Sequence, residues 1–134
     1  TRMSIRYADT HAALDLDQLA ALFCSVGWHY RTADPERFKR MIANTPWVVS
    51  AWDGDHLVGF CRAITDEAFN AYVTTVAVRP DYQRRGIGRE LMRRLMAGRD
   101  HMLFVLRADP EHHAFYGSLG FAAADNMFRR PRSG

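Results

Sequence analysis

The stretch VAVRPDYQRRGIGRELMRRLM, residues 76–96, decides how the rest of the chain is interpreted. Two glycines, Gly86 and Gly88, stand among three arginines at the start of an amphipathic helical pattern. The N-terminus of a helix exposes free backbone N–H groups and carries partial positive charge, and glycine lets a ligand approach that backbone closely. The arginines add charge-assisted hydrogen bonds. This stretch therefore predicts a loop that binds phosphate, with pyrophosphate as the natural guest.

The helix behind this loop has an apolar face made of Ile87, Leu91, Leu95 and Met96, so we expect it to pack on a core that fixes its N-terminus. The alternative is a solvated helix entry with no ligand. A dinucleotide-binding fingerprint would need a third glycine, and a Walker loop would need a Gly-Lys-Ser/Thr sequence. The stretch has neither, so phosphate binding is predicted without those two loop types.

The bulk composition is that of one globular domain. The chain has 134 residues, 48% hydrophobic and 25% charged, and a formal net charge of +3 that suits an anionic ligand or partner. Cys24 and Cys61 lie in apolar runs and indicate buried thiols in a reducing compartment, with a disulfide or a reactive thiol as the alternative. The sequence has no metal-ligand spacing and no signal-like segment. Its apolar runs are far shorter than the ~20 residues that span a bilayer. We therefore expect a cytoplasmic protein with no metal ion and no membrane partner.

Working outward from the glycine loop, apolar periodicity and turn signals predict alternating strands and helices along the chain. Six strands are predicted, over residues 4–8, 46–52, 56–64, 71–79, 101–106 and 121–128. Four helices are predicted, over residues 11–23, from Asp34, from the glycine loop to Ala97, and from Asp109 to Gly120. Asp53-Gly54-Asp55 predicts a hairpin turn. The strands on either side of the third helix should be parallel neighbours, because a helical crossover joins them.

Two motifs resemble those of the GCN5-related N-acetyltransferase (GNAT) family. Residues 76–91 are similar to the family's motif A, and QRRGIG, residues 83–88, is similar to its pyrophosphate loop, Q/R-x-x-G-x-G/A. AFYGSLGF, residues 114–121, resembles its motif B. The order of elements is also similar, so the resemblance covers nearly the whole chain. It implies a single domain over residues 1–134 with an α/β (α+β) fold. That fold is a mixed, mostly antiparallel sheet of six to seven strands with a central splayed parallel pair, flanked by four helices.

The resemblance implies that acetyl-CoA is the cosubstrate. In this family the strand before the loop splays from its parallel neighbour, and the pantetheine arm lies in the gap, where unpaired backbone groups can bind it. Carried over, backbone groups of Val76 and Val78 pair with the arm and the acetyl carbonyl, and loop amides hold the pyrophosphate. The implied acetyl-CoA contacts are Val76, Ala77, Val78, Gln83, Arg84, Arg85, Gly86, Ile87, Gly88, Arg89 and His112. For His112, a surface position without a ligand is the alternative.

The reaction that the resemblance implies is direct acetyl transfer to a primary amine in a ternary complex. Tyr116 matches the family's tyrosine that faces the departing sulfur, where a phenol can protonate the thiolate. A core position beside Phe115 is its alternative. Asp109 stands where the family often has an asparagine, and we expect it to cap the helix that follows.

The base that takes the proton of the amine is left open by the sequence. The strand over 71–79 carries no carboxylate, and Asp66 and Glu67 stand just before it. Either of these carboxylates or water is expected to accept the proton, with Thr74 or Thr75 as holders of a relay water. Solvation of the loop is the alternative for both carboxylates.

The acceptor pocket is expected around the loop between the first two helices. Trp28, His29 and Tyr30 fall in that loop and form either an apolar wall for the acceptor or part of the core. Asp66 and Glu67 would favour a cationic amine. The resemblance allows a small-molecule amine, a peptide or protein amine, or an aminoacyl-tRNA. Dimers are common among similar proteins, so a homodimer also fits the resemblance.

Two other classes of function fit the same residues. A non-catalytic acyl-CoA-binding module would keep the glycine loop and lose the chemistry, and the missing strand carboxylate keeps this alternative open. A nucleic-acid-binding protein would use the arginines and the tail RRPRSG, residues 129–134. Basic charge alone is weak evidence, so nucleic acid other than tRNA is not expected as a partner. Turnover with a panel of amines separates these classes.

Overall fold

The computed structural model describes residues 4–133, which form a five-stranded sheet with helices on both faces. The strands are β1 (Arg6–Ala8), β2 (Trp47–Asp53), β3 (His56–Thr65), β4 (Asn70–Val78) and β5 (Leu103–Leu106). They lie side by side in chain order, with β1 to β4 antiparallel and β5 parallel to β4. The predicted hairpin and the predicted parallel neighbours are both confirmed.

The helices are α1 (Leu16–Ser25), α2 (His29–Thr32), α3 (Pro35–Ala43), α4 (Ile87–Met96) and α5 (His113–Ser118). The Asp15 carboxylate accepts two backbone N–H groups at the start of α1, and the Asp34 carboxylate accepts one at the start of α3. The Asp15 cap explains why the first helix does not begin at residue 11 as predicted. The single turn of α2 falls in a segment predicted as a loop. None of the helices between residues 4 and 133 is long and apolar enough to cross a bilayer.

Apolar side chains cover both faces of the sheet. One face packs against α4, and the other packs against α1 and α3. Gly59 in β3 allows α4 to approach closely, because a Cβ atom there would lie 3.0 Å from Ile87 Cγ2, 3.1 Å from Leu91 Cδ1 and 3.3 Å from Ala51 Cβ. The predicted apolar face of the helix is therefore packed on the sheet, and the packing fixes the position of its N-terminus.

A β-bulge in β4 reverses the side-chain alternation half-way along the strand. The register with β3 shifts between Arg62 and Ala63, and Thr74 has no partner there. Before the bulge, Val73 packs in the cluster that includes α4. After the bulge, Ala77 packs in the cluster that includes α1 and α3, although its number has the same parity. The two halves of β4 therefore present opposite faces.

The fold class is confirmed as mixed α/β with a mostly antiparallel sheet, but two parts of the predicted fold are wrong. Residues 121–128 form no strand, so the described chain has five strands and not six or seven. Met127 and Phe128 are exposed, so the apolar side chains that favoured a strand there are not buried. The parallel pair lies at the edge of the sheet and not at its centre, because β5 has no further neighbour within residues 4–133.

Candidate active site

The edge of β4 is open over its second half. Pairing with β5 ends at Val73, whereas β4 continues to Val78. The Arg79 N–H donates to the Val58 carbonyl of β3 at 2.8 Å, so the backbone N–H of Arg79 points toward β3. Because successive residues of an antiparallel strand face alternate sides, the backbone groups of Val76 and Val78 point away from β3. They therefore face the open edge.

The loop that follows β4 is tied to the sheet by side chains. Arg79 Nε donates to a β3 carbonyl at 2.9 Å, and the Tyr82 hydroxyl donates to the Asp53 carboxylate of β2. Gln83 Nε2 donates to the Val78 carbonyl at 2.9 Å. The side chain of Gln83 thus occupies the carbonyl of Val78 and holds the loop against the end of the strand.

The start of α4 presents backbone N–H groups beside this edge. Gly86 is the N-cap with φ of 83°, and Arg84 has φ of 64°, so the chain enters the left-handed region twice just before the helix. The first helical N–H groups, those of Ile87, Gly88 and Arg89, have no acceptor within an α-helix. A Cβ atom at Gly86 would meet no protein atom within 4 Å, so the space beside the helix N-terminus is open.

Four of the predicted acetyl-CoA contacts, namely the two glycines and two residues with buried side chains, could reach a ligand only through their backbone. The side chains of Ile87 and Ala77 are buried in the two core clusters. Gly88 lies against α5, where a Cβ atom would be 3.4 Å from Phe115 Cζ. These positions therefore offer only backbone groups to a ligand, and positive charge at the site comes from the arginine side chains.

A cleft of about 2510 Å³ extends from the glycine loop along the open edge of β4 to α2 and α3. Most of the predicted site residues line it: Val76, Ala77, Val78, Gln83, Arg84, Gly86, Gly88, Arg89, His112 and Tyr116. Arg85 and Ile87 do not line it, and the Arg85 guanidinium lies 5.4 Å from the centre of the Tyr82 ring. Within residues 4–133, no three His, Cys, Asp or Glu side chains are grouped as metal ligands.

Tyr116 lines the cleft on the side of the sheet that carries α4. Its half-buried ring lies between Phe115 and Phe121, with centroid distances of 5.0 Å and 5.9 Å. Burial, and then the nearby Cys61 thiol, raise the pKa of the Tyr116 phenol above its usual range, so the phenol is protonated at neutral pH. Burial also raises the pKa of Cys61 itself, and this thiol is therefore an unreactive core group.

His112 and Asp109 line the cleft near the start of α5, but each makes little contact with the protein. His112 is exposed, and its Nε2 lies 3.5 Å from Glu111 Oε1. Asp109 occupies the N-cap position of the short 3-10 turn Pro110–His112, yet its carboxylate makes no capping hydrogen bond. The predicted capping role of the Asp109 side chain is therefore wrong.

Asp66 and Glu67 lie outside the cleft, in the turn before β4 and at the opposite end of this strand from the glycine loop. Asp66 Oδ1 accepts three backbone N–H groups, at 2.8 Å to 3.0 Å. These bonds, that of Asn70 foremost, hold the pKa of the Asp66 carboxyl below its usual range. Glu67 Oε1 accepts from Trp47 Nε1 at 3.1 Å. The structure therefore removes both carboxylates from the site as bases and as attractants for a cationic amine.

The part of the cleft beside α2 and α3 holds two arginines that were not predicted as site residues. Arg62 Nε and Arg31 Nη1 both donate to Thr75 Oγ1, each at 3.1 Å. The Thr75 hydroxyl thus accepts two hydrogen bonds and keeps its O–H to donate, so Thr74 and Thr75 both stay predicted holders of a relay water. A signal was present in the sequence, because Arg62 is a charged residue in the middle of an otherwise apolar strand.

The aromatic residues predicted for the acceptor pocket are divided by the structure. Trp28 and Tyr30 line the cleft, whereas His29 does not. The Trp28 ring also contacts the core, with its centroid 5.4 Å from that of Phe23. Trp28 therefore serves both as part of the core and as a wall of the cleft.

Comparison with known proteins accounts for this combination of an open strand edge and a glycine-capped helix. Residues 13–121 match the family described as "Acetyltransferase (GNAT) family". The chain belongs to this family. A solved GNAT-family acetyltransferase from Streptococcus pneumoniae TIGR4 has a TM-score of 0.81 and 25% identity to this GNAT chain, with 97% of this chain and 100% of that one covered. The fold and the family are thereby shown together.

Two curated relatives carry names of N-acetyltransferases. One is "Uncharacterized N-acetyltransferase ycf52-like" of Prochlorococcus marinus, 37% identical over an alignment of 115 residues that covers 81% of this chain and 63% of that protein. Another is "Serotonin N-acetyltransferase 2, chloroplastic" of Oryza sativa subsp. japonica, 34% identical over an alignment of 123 residues that covers 87% of this chain and 60% of that protein. This GNAT chain thus spans less than two thirds of the length of either relative.

Proposed function

We propose that this protein transfers an acetyl group from acetyl-CoA to a primary amine by direct attack in a ternary complex. The observation that carries the proposal is the position of the open β4 edge beside the start of α4. Unpaired strand groups suit an amide-rich arm, and N–H groups at a helix start suit a diphosphate, so the donors present fit acetyl-CoA. When bound, acetyl-CoA supplies a thioester whose carbonyl carbon an amine can attack.

The proposed acetyl-CoA site uses backbone groups for position and arginines for charge. Val76 and the N–H of Val78 would bind the arm, since the carbonyl of Val78 is held by Gln83. The amides from Gly86 to Arg89 would hold the diphosphate, with the Arg84 and Arg89 guanidinium groups beside it. This division explains why the glycine loop is tied to the sheet: a fixed loop keeps the amides converged on one point.

Tyr116 is proposed to donate its proton to the sulfur that leaves. In the transfer a C–N bond forms and the C–S bond breaks. The amine loses one proton to solvent, the thiolate gains one from Tyr116, and solvent returns a proton to the Tyr116 phenolate. The raised pKa of the phenol keeps that proton available at neutral pH. Tyr116 lines the cleft, and its hydroxyl makes no hydrogen bond to any residue from 4 to 133, so the hydroxyl is unengaged for this role.

Solvent is proposed to take the proton of the amine. The carboxylates that line the cleft are Asp34, Asp109 and Glu111, and none of them belongs to β3 or β4. Asp34 is engaged with the N–H of Arg37 at the start of α3. This distribution also favours the second candidate, a non-catalytic acyl-CoA-binding module, which needs no base.

A screen of primary amines with acetyl-CoA, in which released CoA is detected through its thiol, tests the proposal. The panel should contain arylalkylamines, because the rice relative is named for serotonin, together with amino acids, diamines and short peptides. Thermal unfolding with and without acetyl-CoA is measured in parallel. Release of CoA that depends on the amine supports the transferase. Stabilisation by acetyl-CoA without CoA release from any amine would identify the binding module. If acetyl-CoA produced no stabilisation and no amine released CoA, both candidate functions would be refuted.

A further inference from the structure

Arg62 is a buried cation without an anionic partner. Its side chain lies in the middle of the sheet, and the residue is only 4% exposed. Nε donates to Thr75 Oγ1 at 3.1 Å and Nη1 donates to Thr45 Oγ1 at 2.8 Å, but no Asp or Glu within residues 4–133 pairs with it. A buried charge is normally compensated by an opposite charge. Two neutral hydroxyls compensate this one only in part.

Arg31 brings a second positive charge to the same hydroxyl. Its Nη1 donates to Thr75 Oγ1 at 3.1 Å, and its Nε donates to the Tyr30 hydroxyl at 2.9 Å. The guanidinium also lies 5.6 Å from the centre of the Trp28 ring, and no carboxylate in the described chain pairs with it. Burial, and then the neighbouring Arg31 guanidinium, lower the pKa of Arg62 to about 10, so Arg62 is charged at neutral pH and is repelled by Arg31. An anion between them would relieve this repulsion.

The unbonded nitrogen of Arg62 reaches the cleft. Nη2 of Arg62 makes no hydrogen bond to residues 4–133. Every fully buried side-chain nitrogen or oxygen in that range, however, has a hydrogen-bond partner. Nη2 must therefore keep some exposed surface, and Arg62 lines the cleft. Arg31 and Thr75 line it too. The pair thus presents donors to the cleft from a rigid position on the sheet.

We propose that Arg31 and Arg62 bind the carboxylate of the acceptor, so that the acceptor is an amine that also carries a carboxylate, as an amino acid does. The inference rests on the proposed acetyl transfer. Planar guanidinium groups match the two oxygens of a carboxylate better than an ammonium would. Thr75 directly precedes Val76, whose backbone faces the open edge, so the anion would lie close to the proposed position of the thioester. The closeness of the two positions suits a small acceptor that carries both an amine and a carboxylate.

Matched pairs of amines that differ only in the carboxylate test this proposal: tryptophan and tryptamine, tyrosine and tyramine, lysine and cadaverine. The kcat/KM of each is measured through CoA release. For each pair, the kcat/KM of the amine with the carboxylate is divided by that of the decarboxylated amine. Because an α-amine loses its proton at lower pH than an alkylamine, the decisive quantity is the change in this ratio between wild type and variant. Arg31→Gln is expected to lower the ratio of carboxylate to decarboxylated amine at least tenfold for the preferred pair. Lys39→Gln removes an exposed positive charge outside the cleft and is expected to leave the ratio unchanged.

Arg62 also joins the bulge to Thr45, so its variants can lose stability for a structural reason. Arg62→Lys keeps the charge and loses the planar fork, and it is expected to lower the same ratio even where the protein remains folded. Loss of stability with an unchanged ratio would show that Arg62 is structural only and would overturn the proposal. Wild-type ratios that favour the decarboxylated amine of every pair would overturn it as well.

A binding measurement separates failure of this inference from failure of the proposed transfer. N-Acetyltryptophan and N-acetyltryptamine, and the matching tyrosine and lysine derivatives, are titrated calorimetrically into the protein with CoA present. At least tenfold tighter binding of a carboxylate form, lost in Arg31→Gln, supports the anion site even if no amine is acetylated. Equal affinities within every pair overturn the site, while CoA release from tryptamine or tyramine alone would leave the proposed transfer standing.

Discussion

Replacing Gly59 by alanine tests whether the close packing of α4 on the sheet holds the candidate site together. The new Cβ atom would lie 3.0 Å from Ile87 Cγ2, 3.1 Å from Leu91 Cδ1 and 3.3 Å from Ala51 Cβ. The first two atoms belong to buried side chains of α4, so relief of these contacts requires these side chains, with the helix that carries them, to shift away from β3. Ile87 is the first residue of α4, and its displacement moves the amides at the helix start.

Overpacking of this kind costs about 1–3 kcal/mol. For a chain of this size each kcal/mol lowers the Tm by roughly 3–5 °C, so the expected fall for Gly59→Ala is about 3–15 °C. Thermal unfolding by circular dichroism measures the Tm, and calorimetric titration of acetyl-CoA measures the affinity, which should fall with it. Gly117→Ala is the matched control: Gly117 lies in α5, a Cβ there meets nothing within 4 Å, and its φ is not positive. The free energy of unfolding of this control should rise by about 0.4–1 kcal/mol.

An unchanged Tm for Gly59→Ala would refute the packing described for α4 and β3. A lowered Tm with full acetyl-CoA affinity would refute a narrower point, namely that the position of the helix start depends on this contact. A destabilised Gly117→Ala would show that alanine is tolerated poorly in the chain for reasons other than close contact, and the comparison would then lose its meaning.

Three further substitutions test single residues of the site. Gly86→Asp places a carboxylate at the start of α4 and should weaken acetyl-CoA binding more than 100-fold by calorimetry. The control Gly98→Asp, with a similar φ of 75° and open space beyond the other end of the helix, should leave the affinity unchanged. Equal acetyl-CoA affinities of the two variants would refute the loop assignment. Tyr116→Phe should lower kcat by about 10²-fold or more with little change in the KM for acetyl-CoA, and the wild-type rate should show no alkaline decline from this phenol below its ordinary pKa of 10.0; an unchanged kcat would make the ring structural. Asp66→Asn removes a carboxyl whose folded pKa is depressed below 3.8, so its stabilisation is present above that pH and is lost on acidification. The variant should show a smaller loss of stability in urea unfolding between pH 7 and about pH 3, with turnover retained, and a fall in turnover would return Asp66 to the site.

The parts of the fold that could be predicted from sequence are those with local signals. Gly54 adopts a positive φ of 58° in the predicted hairpin turn, and Pro35 follows its capping aspartate at the start of α3. The strand before the glycine loop and the helix after it are also where they were predicted. In each case the deciding interaction joins residues a few positions apart, so the sequence displays both partners together.

The features that escaped prediction depend on residues far apart in the sequence. The bulge in β4 becomes apparent only from the register with β3, and the convergence of Arg31 and Arg62 on Thr75 joins three different elements. The segment over 121–128 has the apolar character of a strand, yet it finds no partner strand in the described chain. Local pattern predicts a tendency to extend, whereas the sheet edge that would complete a strand is a property of the whole fold.

The unpaired residue in the middle of β4 has a consequence for how related chains can diverge. Side chains along a strand repeat every second residue, so the extra residue at Thr74 sets the phase of everything after it. Exchange of one side chain for another at this point leaves the phase intact. A change of length by a single residue would turn Val76 and Val78 toward α1 and Ala77 toward α4. Descendants of this sequence are therefore free in composition at Thr74 but restricted in length, since only changes by an even number keep both faces in register.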